Sequence, residues 1–321
     1  MNIVACVTDT TGNMSKFGRL LEEMGVSHIF CADHVLQLTA KKAYLDSWFN
    51  AGTNGVILND AEMLDLDEVH DLDTMKKARR LVEHFSKSTQ QLEKLLKQQK
   101  NMDTYHGKQA VGMVVDVVTR WWSTYSMCER LIYLQPALAA MAVDNKLPDS
   151  ILLNETDWKI LRQVHGLLKP FKNAQKLLEG DKYVTLSLLP IAIKSIRTAL
   201  IKIVGAEGGG EAQNRVKNLA KRLLFDFRER WKPDEASQYL EGDIVTRGRG
   251  NRQVGLHPLA AFASVLDPRT KLLKAYSKDD RLKIWAGLHQ NAMQHCQLLG
   301  GTLSIAQQEL ISETNQDPTG P

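Results

Sequence analysis

The sequence predicts a mainly α-helical protein with a small α/β part at its N-terminus. Two observations support this fold class. Near the N-terminus, two apolar runs of four or five residues flank one helix-like segment, and each run is as long as a buried strand and too short for a helix. Beyond residue 70, apolar residues instead recur at the three- and four-residue spacing of helices. A strand–helix–strand unit followed by a helical body is therefore expected.

The N-terminal unit begins with the apolar run 3–7, which ends in polar turn residues around Asp9. A helix-like segment follows at residues 15–24, and the second apolar run occupies residues 28–31. Asp9 is therefore predicted to lie where a strand passes into a loop. In parallel sheets this is the edge at which ligands and catalytic groups collect.

Opposite charges dominate two adjoining segments. Residues 54–73 contain seven acidic side chains and no lysine or arginine, which predicts a solvated loop or short helix. Residues 74–100 form a predicted helix with eight lysines and arginines against two glutamates. This helix is interpreted either as a solvated face or as a surface that contacts DNA phosphates without sequence preference. The candidate DNA-contacting residues in it are Lys76, Lys77, Arg79 and Arg80.

A tryptophan pair follows the next apolar run. Residues 112–118 are β-branched and predict an extended segment, after which a helix begins within residues 119–123 and is kinked or split by Pro136. Arg120 directly precedes Trp121 and the second tryptophan. Such residues stack on an unpaired base in a protein that processes DNA. In an ordinary domain they pack between helices, and the residues alone leave both interpretations open.

The remainder of the chain is predicted to be helical. A run of three glycines marks a flexible link within it, and a polar, arginine-containing loop at 246–255 is a weaker candidate for phosphate contact. Asp267 ends a helix that starts at His257, and it is interpreted as a turn or cap residue and not as a catalyst. The predicted helices cover residues 157–178 with a kink at Pro170, 183–200 with an interruption at Pro190, 213–231, and 280–299.

Four sequence blocks occur in order along the chain: VTDTTGNM, CADHVLQL, DVVTRWWSTYSMCERL and LDPRTKLL. Together they resemble the hAT superfamily of DNA transposases, from about residue 2 to residue 274. The resemblance implies an RNase H-like core that is interrupted by a large helical insertion. It also implies chemistry that uses three carboxylates, two aspartates and one glutamate, to hold Mg²⁺ or Mn²⁺.

Individual residues carry over from this resemblance. Asp9 matches the second metal-ligating carboxylate, and Trp121 matches a tryptophan that lies near the cleaved DNA end. Cys31 and His34 match a C-x-x-H pair near the active site and bound DNA, although the pair alone supplies two of the four ligands of a structural zinc site. Trp122 departs from the family, which has a small polar residue there.

The resemblance implies a partial RNase H-like core at residues 1–45, a helical insertion domain at 46–311 and a disordered tail at 312–321. The family's first Asp and its Glu fall outside the matched blocks, whereas two-metal chemistry needs several carboxylates. We therefore expect a transposase-derived, domesticated DNA-binding protein with an incomplete catalytic site. The alternatives are a fragment of an active metal-dependent transposase, and a helical protein-interaction scaffold that does not bind DNA.

Composition narrows the class of protein. The net charge of +4 does not by itself demand a nucleic-acid partner, and four widely spaced cysteines without a C-x-x-C pair exclude a disulfide framework. Neither a signal peptide nor an apolar run of membrane-spanning length occurs, so a soluble intracellular protein is expected. The resemblance implies a nuclear location, or a cytoplasmic one if an import signal is lacking. Homo-oligomerisation is left open.

Overall fold

The computed structural model describes residues 5–9, 11–40, 71–117, 121–144, 147–180, 182–207, 210–231, 247–248, 252–253 and 255–298. It divides into two compact units. The strand unit comprises Met1–Leu36, Ala174–Thr198 and Phe227–Pro321, and the helical unit comprises Gln37–Asn173 and Ala199–Asp226. The predicted domain boundaries at 45 and 311 lie outside the described residues and stay a prediction.

The strand unit opens with the predicted strand–helix–strand arrangement. Strand β1 (Ala5–Thr8) pairs in parallel with β2 (Ser27–Phe30), so that Ala5 lies opposite Ser27 and Thr8 opposite Phe30. Helix α1 (Gly12–Glu23) connects the strands, and α2 (Ala32–Ala40) follows β2. Gly25, with a φ of 77°, turns the chain from α1 towards β2 in a conformation that favours glycine.

The helical unit begins with α3 (Asp71–Ser86), α4 (Thr89–Lys100) and α5 (Trp121–Val143). One helix was expected where α3 and α4 lie. The first helix ends before Lys87 because Ser88 takes an extended conformation and caps α4. Its side chain accepts a hydrogen bond from the backbone N–H of Gln91 at 3.4 Å. Helix α4 packs against both α3 and α5.

Three further helices follow along the chain: α6 (Glu155–Leu178), α7 (Leu189–Val204) and α8 (Glu211–Trp231). Pro136 and Pro170 lie inside α5 and α6, and neither splits its helix. Pro190 does not interrupt a helix, because α7 begins only at Leu189 and the first helical turn needs no N–H from proline.

The strand unit also contains the late elements of the chain. Strand β3 (Arg247–Gly248) pairs antiparallel with β4 (Arg252–Gln253), so the predicted polar loop contains a short hairpin pairing. Helices α9 (Pro258–Leu266) and α10 (Lys278–Leu298) follow. An apolar cluster joins these two helices, and its buried members are Ala261, Val265, Leu273, Tyr276 and Ile284.

Apolar side chains at helical spacing form the interior of the helical unit, as the periodicity predicts. Phe85, Leu131 and Leu168 are among its fully buried members. The mainly α-helical fold class with a small N-terminal α/β part is confirmed. Among the described helices, none is long and apolar enough to cross a membrane.

Candidate functional site

Asp9 lies directly after β1, as predicted. Its Oδ1 accepts hydrogen bonds from the backbone N–H of Thr11 at 2.9 Å and from the hydroxyl of Thr11 at 2.6 Å. These two bonds lower the pKa of Asp9, and the nearby His34 lowers it further to a smaller extent. An ionised carboxylate is therefore held at the carboxyl end of β1.

Cys31 and His34 lie at the adjoining end of β2. The Cys31 N–H donates to the carbonyl of Thr8 at 2.6 Å, and its own carbonyl accepts from Val35 at 3.1 Å. Cys31 thus links the strand pair to α2, and His34 occupies the first turns of that helix within electrostatic range of Asp9. The structure brings Asp9 and His34 towards each other.

A metal site needs more ligands than this edge provides. Within the described residues, no three His, Cys, Asp or Glu side chains are placed to hold a metal ion. One carboxylate and one imidazole do not fit a two-metal centre, in which several carboxylates surround the ions. Mg²⁺ or Mn²⁺ at Asp9 stays a prediction.

His28, which faces Cys6 across the strand pair, has a packing role. Its Nε2 lies 2.7 Å from the hydroxyl of Thr8, and its ring meets the ring of Phe30 edge-on at 4.8 Å between centroids. A Cβ on Gly18 of α1 would lie only 2.0 Å from the Nδ1 of His28. The glycine therefore lets α1 close over the buried imidazole.

Asp116 connects the residues before and after the predicted Arg120–Trp121 site. Arg120 lies outside the described residues, and of Trp121 the structure describes only the backbone, at the start of α5. The buried Oδ1 of Asp116 accepts hydrogen bonds from the hydroxyls of Ser123 at 2.7 Å and Thr124 at 2.9 Å. The residues on either side of the site are therefore tied together.

The side chains of Gln99 and Arg130 make hydrogen bonds to the backbone of the segment before Asp116. The Gln99 side chain donates to the carbonyl of Val111 at 2.9 Å and accepts from its N–H at 3.0 Å. The guanidinium of Arg130 donates to the carbonyl of Gly112 at 2.5 Å. Residues 111–117 belong to no helix or strand, and these hydrogen bonds to their backbone come from side chains.

The four candidate cations of α3 differ in their surroundings. Lys76 and Arg80 are exposed. The Nζ of Lys77 lies 3.6 Å from Asp157, and the Nε of Arg79 donates to Asp116 at 2.7 Å. Half of this predicted DNA-contacting set therefore takes part in ion pairs inside the helical unit, and its contact with DNA stays a prediction.

Asp157 caps the start of α6. Its N–H donates to Oδ1 of Asn154 at 2.8 Å, and the Asn154 N–H returns a bond to Asp157 Oδ2 at 3.0 Å. The hydroxyl of Thr74 donates to Asp157 Oδ1 at 2.6 Å, which ties α3 to this cap. A cavity of about 270 Å³ adjoins the cap and is also lined by Lys77 and Arg215.

Asp267 occupies the C-cap of α9, in agreement with its interpretation as a turn residue. Its Oδ2 accepts hydrogen bonds from the Ser187 hydroxyl at 2.5 Å and from Arg269 Nη2 at 2.6 Å. These bonds, with the largest effect from Arg269, hold the pKa of Asp267 well below its usual range. Arg269 also lies 5.2 Å from the ring centre of Tyr183.

Parts of this chain are similar to known proteins. Residues 29–167 match the ZBED1 RNase-like helical domain. The chain is 28% identical over 188 residues to a protein of Zea mays named putative AC transposase. Over part of its length the chain is therefore similar to hAT-family transposases. It is also 24% identical over 197 residues to the human zinc finger BED domain-containing protein 4.

These alignments include 58% and 60% of this chain. They include only 19% of the maize protein and 14% of the human protein, so the chain spans less than a fifth of either relative. Cys31, His34, the four cations of α3 and Trp121 lie within the matched residues 29–167, whereas Asp9 precedes them.

Sequence reasoning did not identify Asp116, Gln99 or Asp157 as organising residues. One signal was present for Asp116, which is the only charged residue in the apolar run 112–118. A charge predicted to be buried in such a run needs a partner. That partner is Arg79, which lies 37 residues away in the sequence, so no local pattern around Asp116 could identify it.

Proposed function

We propose that this transposase-derived chain binds DNA through its phosphate backbone and acts in the nucleus. The observation that supports the proposal is the match of residues 29–167 to the ZBED1 RNase-like helical domain, together with the similarity to a protein named as a transposase. Exposed cations such as Lys76 and Arg80 supply charges that are suited to phosphate contact.

The proposal includes an incomplete catalytic site. Asp9 is one carboxylate, and within the described residues no group of three His, Cys, Asp or Glu side chains is placed to hold a metal ion. Backbone binding needs no such site, because each contact is an electrostatic exchange of phosphate counterions for a lysine or arginine.

A second candidate function is metal-dependent DNA cleavage by a longer chain that contains this one. The observation that favours it is the position of Asp9 directly after β1, where a carboxylate is available as one metal ligand. In that case further carboxylates would have to come from outside the described residues.

The test is fluorescence anisotropy with a labelled duplex of random sequence, titrated between about 50 and about 200 mM salt. Binding is expected, with a logarithmic affinity that falls linearly with the logarithm of salt concentration. Absence of binding at the lowest salt would leave the interaction scaffold as the better description. A nuclear-to-cytoplasmic ratio from a fluorescent fusion tests the location.

Catalysis is tested separately by incubating the same duplex with the protein and Mn²⁺ or Mg²⁺. No cleavage is expected from the chain alone. Cleavage that disappears in the Asp9→Ala variant would support the second candidate instead, and Asp103→Ala is the control because Asp103 is an exposed acid in a 3₁₀ turn of the helical unit.

A further inference from the structure

Beyond the first turn of α6, which contains Glu155, the outward face of the helix carries only positive charge. From residue 158 to residue 178 the helix contains five lysines and arginines and no acidic residue. Within the helical unit, the exposed positions of α6 recur at steps of three or four residues and therefore lie on one face of the helix. After the exposed Glu155 and Thr156 of the first turn, these positions are Lys159, Arg162, Gly166, Lys169 and Asn173.

The partners of these cations are weak or uncharged. Lys159 pairs with Glu155 at 3.0 Å, but both side chains are more than half exposed, so water and salt screen this pair. Arg162 donates to the neutral side chain of Gln135 at 2.6 Å, which leaves its charge uncompensated by that contact. A phosphate group can therefore replace or share these partners.

Helix α3 offers a less continuous surface. Arg79 and Lys77 face Asp116 and Asp157, and Glu83 pairs with Lys87 at 2.8 Å on the exposed side. Glu83 thus lies among the exposed cations of α3, whereas residues 158–178 of α6 contain no acidic residue.

Gly166 lies in the middle of the α6 face. A glycine inside a helix is less favourable for stability than an alanine. A Cβ at this position would meet no atom within 4 Å, not even the ring of Pro170 one turn later, and Gly166 is not among the glycines with positive φ. Neither packing nor backbone conformation within the helical unit requires the glycine, and a position without a Cβ leaves room for the backbone of a partner.

We infer that the face of α6 formed by Lys159, Arg162, Gly166 and Lys169 is the main surface of the helical unit that contacts the DNA phosphate backbone, with the exposed Lys76 and Arg80 of α3 adding to it. The inference rests on the proposed function and adds the location of its interface. From Lys159 to Lys169 the face is about 15 Å long, at 1.5 Å per residue. Over this length, one strand of a duplex presents about four phosphates, at 3.4 Å each along the axis.

The first test compares two triple variants with equal loss of charge. Lys159→Gln, Arg162→Gln and Lys169→Gln remove the α6 cations, and Lys94→Gln, Lys97→Gln and Lys100→Gln remove exposed cations of α4. The α6 variant is expected to make the slope of logarithmic affinity against logarithmic salt concentration shallower by about 3, or about 1 for each lost contact. The α4 variant is expected to keep the slope of the unmodified protein.

Gly166→Ala tests the close approach without changing the charge. The variant is expected to unfold at a higher temperature than the unmodified protein and to bind DNA more weakly, with the salt slope retained. Because the alanine favours the helix, weaker binding cannot be attributed to unfolding. Circular dichroism melting of all variants provides the check on folding.

Two results would overturn the inference while the proposed function stands: loss of slope in the α4 variant with an unchanged α6 variant, or unchanged affinity in Gly166→Ala. If the unmodified protein does not bind the duplex at low salt, both the inference and the proposed function fail.

Discussion

Asp116 and Arg79 form a buried ion pair in the helical unit. The Nε of Arg79 donates to Oδ2 of Asp116 at 2.7 Å, and 16% and 1% of the two side chains are exposed. Since the other carboxylate oxygen accepts from Ser123 and Thr124, one side chain joins α3 to the first turn of α5. The chain segment before Trp121 is therefore held at both ends.

Asp116→Ala is expected to lower the free energy of unfolding by about 3–5 kcal/mol, because it leaves the Arg79 guanidinium buried without its carboxylate. The measurement is urea denaturation followed by tryptophan fluorescence. In the double variant Arg79→Met, Asp116→Leu, much of this loss is expected to be recovered, since no charge is left buried. Strictly additive losses in the double variant would contradict a direct interaction between the two residues.

Gly18→Ala is expected to destabilise the strand unit by about 1–3 kcal/mol, since a Cβ would lie 2.0 Å from the buried ring of His28 and force it to move. The matched control is Gly12→Ala on the same helix, where a Cβ meets no atom within 4 Å. Thermal unfolding followed by circular dichroism compares the two variants. Equal midpoints would show that α1 does not close over the imidazole as described.

Gln99→Leu is expected to lower the free energy of unfolding by about 2–4 kcal/mol, because both backbone groups of Val111 lose their hydrogen bonds and each costs about 1–3 kcal/mol when buried without a partner. Hydrogen exchange at the Val111 N–H should accelerate in the same variant. Gln90→Leu, at an exposed position of α4, is the control. Unchanged exchange at Val111 would rule out this role for Gln99.

The sequence predicts helices and strands where the signal is local. The apolar run at 3–7 and the periodicity of α5 and α6 each depend on neighbours within a few residues. The break at Ser88 was not predicted, because apolar spacing continues across it while one serine caps the next helix. Asp116 and Arg79, 37 residues apart, illustrate the other limit: an ion pair between distant residues has no periodicity to reveal it.

Asp9 illustrates how far a resemblance reaches. Its position at a strand end follows from the residues, and the structure adds the two bonds from Thr11 that keep it ionised. Its role as a metal ligand depends on other carboxylates, which sequence blocks far apart in the chain would have to supply. By contrast, the α6 face follows from spacing alone and was overlooked because the apolar side of that helix was the stronger signal.

His257 is expected to make the strand unit less stable in mild acid. Burial lowers the pKa of His257 from 6.5 to about 4, although Glu22 partly opposes this effect and His28 adds to it. Between these two values the unfolded chain binds more protons than the folded protein, so stability falls as the pH drops from 6.5 towards 4, by at most about 1.4 kcal/mol per pH unit.

The Nδ1 of His257 accepts a hydrogen bond from the Leu259 N–H at 3.2 Å and so caps α9 in its neutral form. His257→Asn keeps an N-cap acceptor and removes the titration. Urea denaturation at several pH values should therefore show a smaller acid-dependent loss in the variant than in the unmodified protein. Identical pH profiles would show that another group is responsible.

The four cations predicted to contact DNA from α3 should separate into two pairs, one that affects DNA binding and one that affects stability. Lys76→Gln with Arg80→Gln is expected to change the free energy of unfolding by less than about 0.5 kcal/mol, because both side chains are exposed, and to weaken DNA binding at low salt.

Lys77→Gln with Arg79→Gln removes the same charge but leaves Asp116 and Asp157 without these cations. The two aspartate side chains are buried, with 1% of Asp116 and 6% of Asp157 exposed. A loss of about 3–5 kcal/mol is expected from the Asp116 pair alone. Denaturation and anisotropy measured on both double variants, at a temperature where both are folded, separate stability from binding. Equal destabilisation by the two double variants would mean that the ion pairs with Asp116 and Asp157 do not distinguish Lys77 and Arg79 from their exposed neighbours.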